Sequence, residues 1–258
     1  MSPRHSTGAP AALGFALSLA LALAAAPRPA AAQSSKADAF AGKIPPVSGQ
    51  LFRKAGRLEL TASGDLSLND AFFTKYFGGL EAGYHLTESL ALSLRASGGL
   101  ATRSGSAVVC AASSGCTSAT ETMLRQVPGR IRGVAALGLA WSPVYGKLNV
   151  LAEKVAHFDL AVLAGADLVA RDEVLSKTDA ELLAVDGGSP KLETSYGFHV
   201  GLGAHLFVSE FMAVRLQIKD LVYFVKVPNN GPGKDWQNQL FTELGLSFFF
   251  PTHNRAQR

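Results

Sequence analysis

The sequence predicts an all-β protein: an eight-stranded antiparallel up-and-down transmembrane β-barrel. Three observations predict it. Apolar and polar side chains alternate with a period of two in eight segments, each about ten residues long, the length a tilted barrel strand needs to cross a bilayer. Beyond the N-terminal region no apolar run approaches the ~18–20 residues of a membrane helix, and the longest, "LAVLAGADLVA", is broken by Asp167. The charges of the eight segments gather on one face, opposite a face that is apolar or glycine.

The chain opens with "MSPRHSTGAPAALGFALSLALALAAAPRPAAAQSS". Arg4 and His5 form a short basic start, an apolar run follows to about Ala26, and Ala30-Ala31-Ala32 precede Gln33. This layout reads as a cleavable secretory signal over residues 1–32. A membrane-anchoring helix is the alternative, but the run is short for a span and an Ala-x-Ala site follows it. Cysteine is absent near that site, so a lipid anchor has no attachment point there. Residues 33–55, polar and proline-containing, read as a periplasmic N-terminal lead-in; residues 56–251 as the barrel; residues 252–258 as a short polar tail.

The first strand is "LELTASGDLSL": Leu58, Leu60, Ala62, Gly64, Leu66 and Leu68 face one way, Glu59, Thr61, Ser63, Asp65 and Ser67 the other. The second sets Tyr76, Leu80, Ala82, Tyr84 and Leu86 against Gly79, Glu81, Gly83 and His85. After a "TES" turn, the third sets Leu90, Leu92, Leu94, Ala96 and Leu100 against Ser93, Arg95, Ser97 and Gly99. A Ser/Thr/Ala/Gly-rich loop follows over residues 101–127. The fourth strand, residues 129–141, sets Ile131, Gly133, Ala135, Leu137, Leu139 and Trp141 against Arg130, Arg132, Gly138 and Ala140. The connection "SPVYGKLNVLAEK" is longer than a turn, with room for one helical turn.

The fifth strand sets Phe158, Leu160, Val162, Ala164, Ala166 and Leu168 against His157, Asp159, Ala161, Gly165 and Asp167, and a polar loop follows over residues 169–193. The sixth sets Tyr196, Phe198, Val200, Leu202, Ala204 and Leu206 against Gly197, His199, Gly201, Gly203 and His205. After "VSE", the seventh sets Met212, Val214, Leu216 and Ile218 against Ala213, Arg215, Gln217 and Lys219. The last sets Leu240, Thr242, Leu244, Leu246, Phe248 and Phe250 against Phe241, Glu243, Gly245, Ser247 and Phe249. Long connections after odd strands and tight ones after the second and sixth match barrels with short periplasmic turns and longer outer loops.

A soluble barrel or sandwich would turn its polar face out to water and its apolar face in to the core. The polar face here carries Glu59, Asp65, Glu81, Arg95, Asp159, Asp167, Arg215, Lys219 and Glu243, and burying such charges in a soluble core costs several kcal/mol each. They are expected to form a polar network in the barrel lumen, with the apolar face against lipid. Tyr76, Tyr84, Trp141 and Tyr196 lie near strand ends, where aromatic girdles form. At eight strands, side chains about fill the interior, which argues against an open porin.

The last strand carries Glu243-x-Gly245-x-x-Phe248-x-Phe250, the polar-x-Gly-x-x-aromatic-x-aromatic form of the outer-membrane assembly signal, read by pairing of strand edges. Cys110 and Cys116 close a small Ser/Gly loop and read as a local disulfide in an oxidising compartment, with two free thiols as the alternative. The formal net charge is +4; Arg4 and Arg28 leave with the signal, so the mature chain is near +2 and nothing points to nucleic acid. His157, Asp159, His199, His205 and Ser247 face inward without forming a recognisable catalytic set, so neither catalytic residues, a cofactor nor a metal site is expected.

The runs "GRLELTASGDLSLNDAFFTKYFGGLEAGYHLTESLAL", "SPVYGKLNVLAEKVAHFDLAVLAGA" and "QNQLFTELGLSFFFPT" resemble the small outer membrane β-barrel domain proteins of myxobacteria and their relatives. The resemblance spans roughly Gln50 to Thr252. It implies a Gram-negative outer membrane location, with export by the signal peptide, and supplies no common activity. The expected partners are outer membrane lipid, the barrel assembly machinery and envelope proteins reached through the loops. The expected role is structural or interactive, not enzymatic. A part in an envelope-spanning, gliding-motility-type complex and a lipid-modifying activity are the alternatives.

Overall fold

The computed structural model describes residues 52–111, 115–150, 154–228 and 234–252. The signal over residues 1–32, most of the lead-in and the tail beyond Thr252 lie outside the described residues. In chain order the elements are β1 (Leu58–Ser67), β2 (Phe73–His85), β3 (Leu90–Arg103), β4 (Val108–Ala111), β5 (Gly115–Ser118), α1 (Glu121–Leu124), β6 (Ile131–Val150), β7 (Lys154–Asp172), α2 (Lys177–Val185), β8 (Leu192–Ser209), β9 (Met212–Lys226) and β10 (Lys234–Phe250). Eight strands pair antiparallel, each with its neighbours along the chain, β3 pairing with β6 across the β4–β5 hairpin. The wall closes where β1 pairs with β10.

The register sets the shape. Leu60 leads in partner steps to Ala82, Leu94, Leu137, Ala166, Phe198, Val222 and Asn238. On β10, however, Leu60 pairs directly with Phe248, ten positions from Asn238. This stagger tilts the strands by roughly 40° to the barrel axis. Both ends of the barrel wall's chain, at Leu58 and Phe250, lie at one rim, paired with each other; we call it the terminal rim and the opposite one the loop rim.

The two faces are cleanly sorted. Leu58, Leu80, Leu94, Leu137, Leu202 and Leu244 are exposed on the outside, while Glu59, Arg95, Asp159, Asp167, Arg215 and Glu243 are buried inside. An exposed leucine belt around a buried charged lumen inverts a soluble protein and matches a wall solvated by hydrocarbon. Tyr76, Tyr196 and Trp236 ring the belt toward the loop rim; Tyr84, Trp141, Phe248 and Phe250 ring it toward the terminal rim.

Four expectations are corrected. "SPVYGKLNVLAEK" is not a long connection: β6 continues to Val150 and β7 begins at Lys154, leaving residues 151–153 between them. The alternation was interrupted by a register slip between Trp141 and Val144, at Ser142-Pro143, where proline has no N–H to give the ladder. Ile131 points inward, 0% exposed, and Arg132 points outward, because a second slip falls between Ile131 and Gly133. The loop over residues 101–127 is shorter and structured: β3 runs to Arg103, then the β4–β5 hairpin and α1 follow. The loop over residues 169–193 likewise shrinks to residues 173–191 and contains α2. The wall runs past the belt because the ladder still pairs where outward residues meet water, and there alternation of apolar residues is no longer required.

Candidate functional site

The lumen is the candidate site. Inward positions of β1, β2, β3, β9 and β10 converge on Glu243, which is fully buried. Its Oε1 accepts from Arg215 Nη2 at 2.6 Å and its Oε2 from Lys219 Nζ at 2.6 Å, with Arg95 Nη1 at 3.1 Å. Arg215 also donates through both terminal nitrogens to Glu81, at 2.8 and 2.9 Å. Arg95 Nη2 donates to Asp65, at 2.6 and 2.9 Å, and to Ser63 at 3.0 Å. Fork-to-carboxylate geometry of this kind is the strongest form of ion pair and locks side chains on five strands together.

A second cluster lies nearer the terminal rim. His205 bridges Asp159 Oδ1 at 2.8 Å and Glu59 Oε1 at 3.2 Å, and His85 Nε2 meets Glu59 Oε2 at 2.9 Å. Lys54 donates to Asp159. Arg215 Nη1 lies 3.8 Å from Glu59 and links the two clusters. Asp167 instead pairs with His199 Nδ1 at 2.9 Å. To the three cations and six acids expected there, Lys54 adds a further cation, and the three imidazoles His85, His199 and His205 hydrogen-bond Glu59, Asp159 and Asp167. Lys54 carried no periodic signal, since it precedes the first strand.

Both ends of the lumen are stoppered. At the terminal rim Phe52 stacks on Phe207, centroids 4.1 Å apart, and meets Phe249 edge-on at 4.9 Å. Arg57 covers both Phe52 and Phe249 and donates to the carbonyls of Arg53, Glu210 and Phe249. Residues 52–55, expected in an extended lead-in, therefore plug the barrel mouth. Toward the loop rim Phe77, Leu221, Tyr223, Val225, Val169, Ile131 and Phe241 form an apolar layer. Among the described residues the lumen holds cavities of about 40 Å³, one beside Glu59, Arg95 and His205 and one beside Asp65 and Asp167, each with room for roughly three waters.

Above the loop rim the connections fold on the wall. Cys110 and Cys116 are disulfide-bonded across β4–β5. Phe73, Ala107, Ala119 and Leu124 form a small core beneath that hairpin. Thr120 caps α1 and Ser176 caps α2, each accepting from a backbone N–H in the first turn. Arg125 ties the two loops: its Nη2 donates to the Gly188 carbonyl and its own carbonyl accepts from Leu175 N. Arg130 pairs with Glu121, holding that carboxyl below its ordinary range, and Arg132 grips Asp172 with two bonds of 2.8 Å.

His157, Asp159 and His199 are not brought together. His157 meets Tyr145 Oη at 2.9 Å, Asp159 serves His205 and Lys54, and His199 serves Asp167. Ser93 and His199 both border the space at Gly138, but among the described residues no hydrogen bond joins them. The residues of the terminal signal also have structural places. Glu243 is the hub of the network, and a side chain at Gly245 would press on Ser63, Thr61 and Ala62 at 3.0–3.1 Å. Phe248 and Phe250 face outward while Phe249 is 0% exposed in the stopper.

Fold and lumen together define a class: a closed eight-stranded transmembrane β-barrel with a charged interior filled by side chains. Solved structures similar to the chain include the N-terminal β-barrel domain of Pseudomonas aeruginosa OprF, 13% identical, covering 76% of this chain and 98% of that one, with a TM-score of 0.45. The outer membrane protein OprG from Pseudomonas aeruginosa is 13% identical over 77% of this chain and 98% of its own, TM-score 0.39. Neisserial surface protein A is 11% identical over 75% and 94%, TM-score 0.38. No protein-family model matches the chain, and no curated protein matches it.

Proposed function

We propose that this protein is an outer membrane β-barrel of the Gram-negative envelope with a structural or interaction role: its wall anchors it in lipid and its loops meet envelope partners. The observation that carries the reading is the filled lumen. An apolar cluster toward each rim and an ion-pair network between them fill the interior with side chains, which favours a loop-presenting anchor over a wide pore. Apolar side chains on the loops, above the lipid belt, support a partner surface: Val108, Val109, Leu182 and, at 85% exposed, Val185. Insertion by the barrel assembly machinery is supported by Glu243, Gly245, Phe248 and Phe250 on the strand that closes the wall. The His–carboxylate pairs serve the network and not chemistry, and no envelope complex of the gliding type is singled out by any residue.

The test is photo-crosslinking in cells from Val109 and Val185. Capture of one discrete envelope protein from both positions, with the chain in the outer-membrane fraction and heat-modifiable on a gel, is the expected result. A soluble periplasmic pool, or steady ion conductance by the inserted barrel, would contradict it. An altered lipid A mass spectrum on replacing His157, Asp159 and His199 would favour the enzyme.

A further inference from the structure

Asp220 breaks the pattern of the outer wall. On the outward face of β9 it pairs with Val200 and Leu240 and sits between Ile218 and Val222 along its strand. Phe224, whose ring packs against Trp236 with centroids 4.0 Å apart, follows four positions nearer the loop rim. At ~3.3 Å per residue and ~40° tilt, Asp220 lies about 10 Å below that aromatic ring, inside the apolar belt. Its Oδ1 is shielded and has no hydrogen-bond partner among the described residues. A carboxyl in hydrocarbon without a partner is costly whether charged or neutral, and no hydrogen bond to Oδ1 is made among the described residues.

A second polar group of the same wall, Thr242, stands on β10 next to Asp220, diagonal to it and paired with Ile218. We propose that two copies of this chain associate in the plane of the membrane through the outer faces of β9 and β10, Asp220 of each meeting Thr242 of the other. Parallel barrels are related by a two-fold axis along the membrane normal, which preserves depth, so matched groups must lie at one depth in each barrel. Asp220 and Thr242 differ by about 2 Å at the register and tilt above. An axis through the β9–β10 seam exchanges them and satisfies both contacts at once. The contact is made by the other carboxyl oxygen, Oδ2, because Oδ1 is shielded by the chain's own wall, and it holds in either protonation state: a carboxylate accepts from the threonine O–H, and a carboxylic acid donates to the threonine Oγ1. Leu216, Ile218 and Leu244, all exposed, surround the pair.

The test is energy transfer between N-terminally labelled full barrels in phosphatidylethanolamine–phosphatidylglycerol vesicles, titrated with lipid. Wild type is expected to keep transferring on dilution. Asp220→Leu and Thr242→Val should each weaken association at least tenfold, while the Asp220→Leu barrel melts no lower than wild type, and Asp220→Asn should stay within threefold. Leu244→Cys should cross-link between copies, and Leu94→Cys on the far wall should not. A wild type that is monomeric at every lipid ratio, or an Asp220→Leu barrel that associates equally well, overturns the proposal. So does a rise in wild-type melting with an added hydroxyacyl amide lipid in the absence of transfer, which would assign Asp220's partner to lipid.

Discussion

Glu243 takes three cations at once, from β3 and β9, with no exposure to solvent. Removing it leaves Arg215, Arg95 and Lys219 short of a partner in a buried interior, where an unpaired charge costs about 3–5 kcal/mol. Glu243→Ala should lower urea stability in vesicles by that amount. Asp65→Asn, which leaves Arg95 its contacts with Glu243 and Ser63, should cost less than half as much. Phe52 and Lys54 make the matching case at the terminal rim. Their joint replacement by alanine should expose Phe249 and Asp159 to added quenchers and proton exchange without dissolving the wall. These two residues were invisible to sequence reading because a single stopper has no period. The lumen acids were legible because each alternates with a leucine or alanine that must meet lipid.

At the scale of elements, the belt was readable and its continuations were not. Inside hydrocarbon nearly every second residue is apolar, so Leu58 to Leu66 announces a strand. Beyond it, Thr102, Arg132 and Asp172 sit in ladders whose outward face meets water, and alternation ends before the strand does. The Ser142-Pro143 slip hid the far half of β6 for the opposite reason, by shifting the alternation's phase. In the loop cap, reduction or Cys110→Ser with Cys116→Ser should open the hairpin to protease while the barrel keeps its heat-modifiable migration. The cap also has an acid sensitivity of defined sign. Arg130 holds the Glu121 carboxyl below its ordinary range, so that contact is fully present above the ordinary carboxylate pKa and lost as pH falls through the lowered one. Proteolysis between β5 and β6 should therefore speed up on acidification in wild type and be pH-independent over that interval in Glu121→Gln.

For the whole molecule, one inversion organises everything else: leucines outside, charges inside. It makes the aromatic rings two depth markers, one at each rim, and the chain's two tryptophans fall one on each. Trp141 marks the terminal-side ring and Trp236 the loop-side ring, 37% and 58% exposed on the bare wall. The most direct measurement is depth-resolved fluorescence quenching by brominated lipids, using Trp236→Phe to isolate Trp141 and Trp141→Phe to isolate Trp236. Both tryptophans should be quenched most by bromines near the headgroups and resist aqueous iodide, with the two in opposite leaflets. Free access of iodide to both, with no effect of brominated lipid, would contradict a lipid-facing wall.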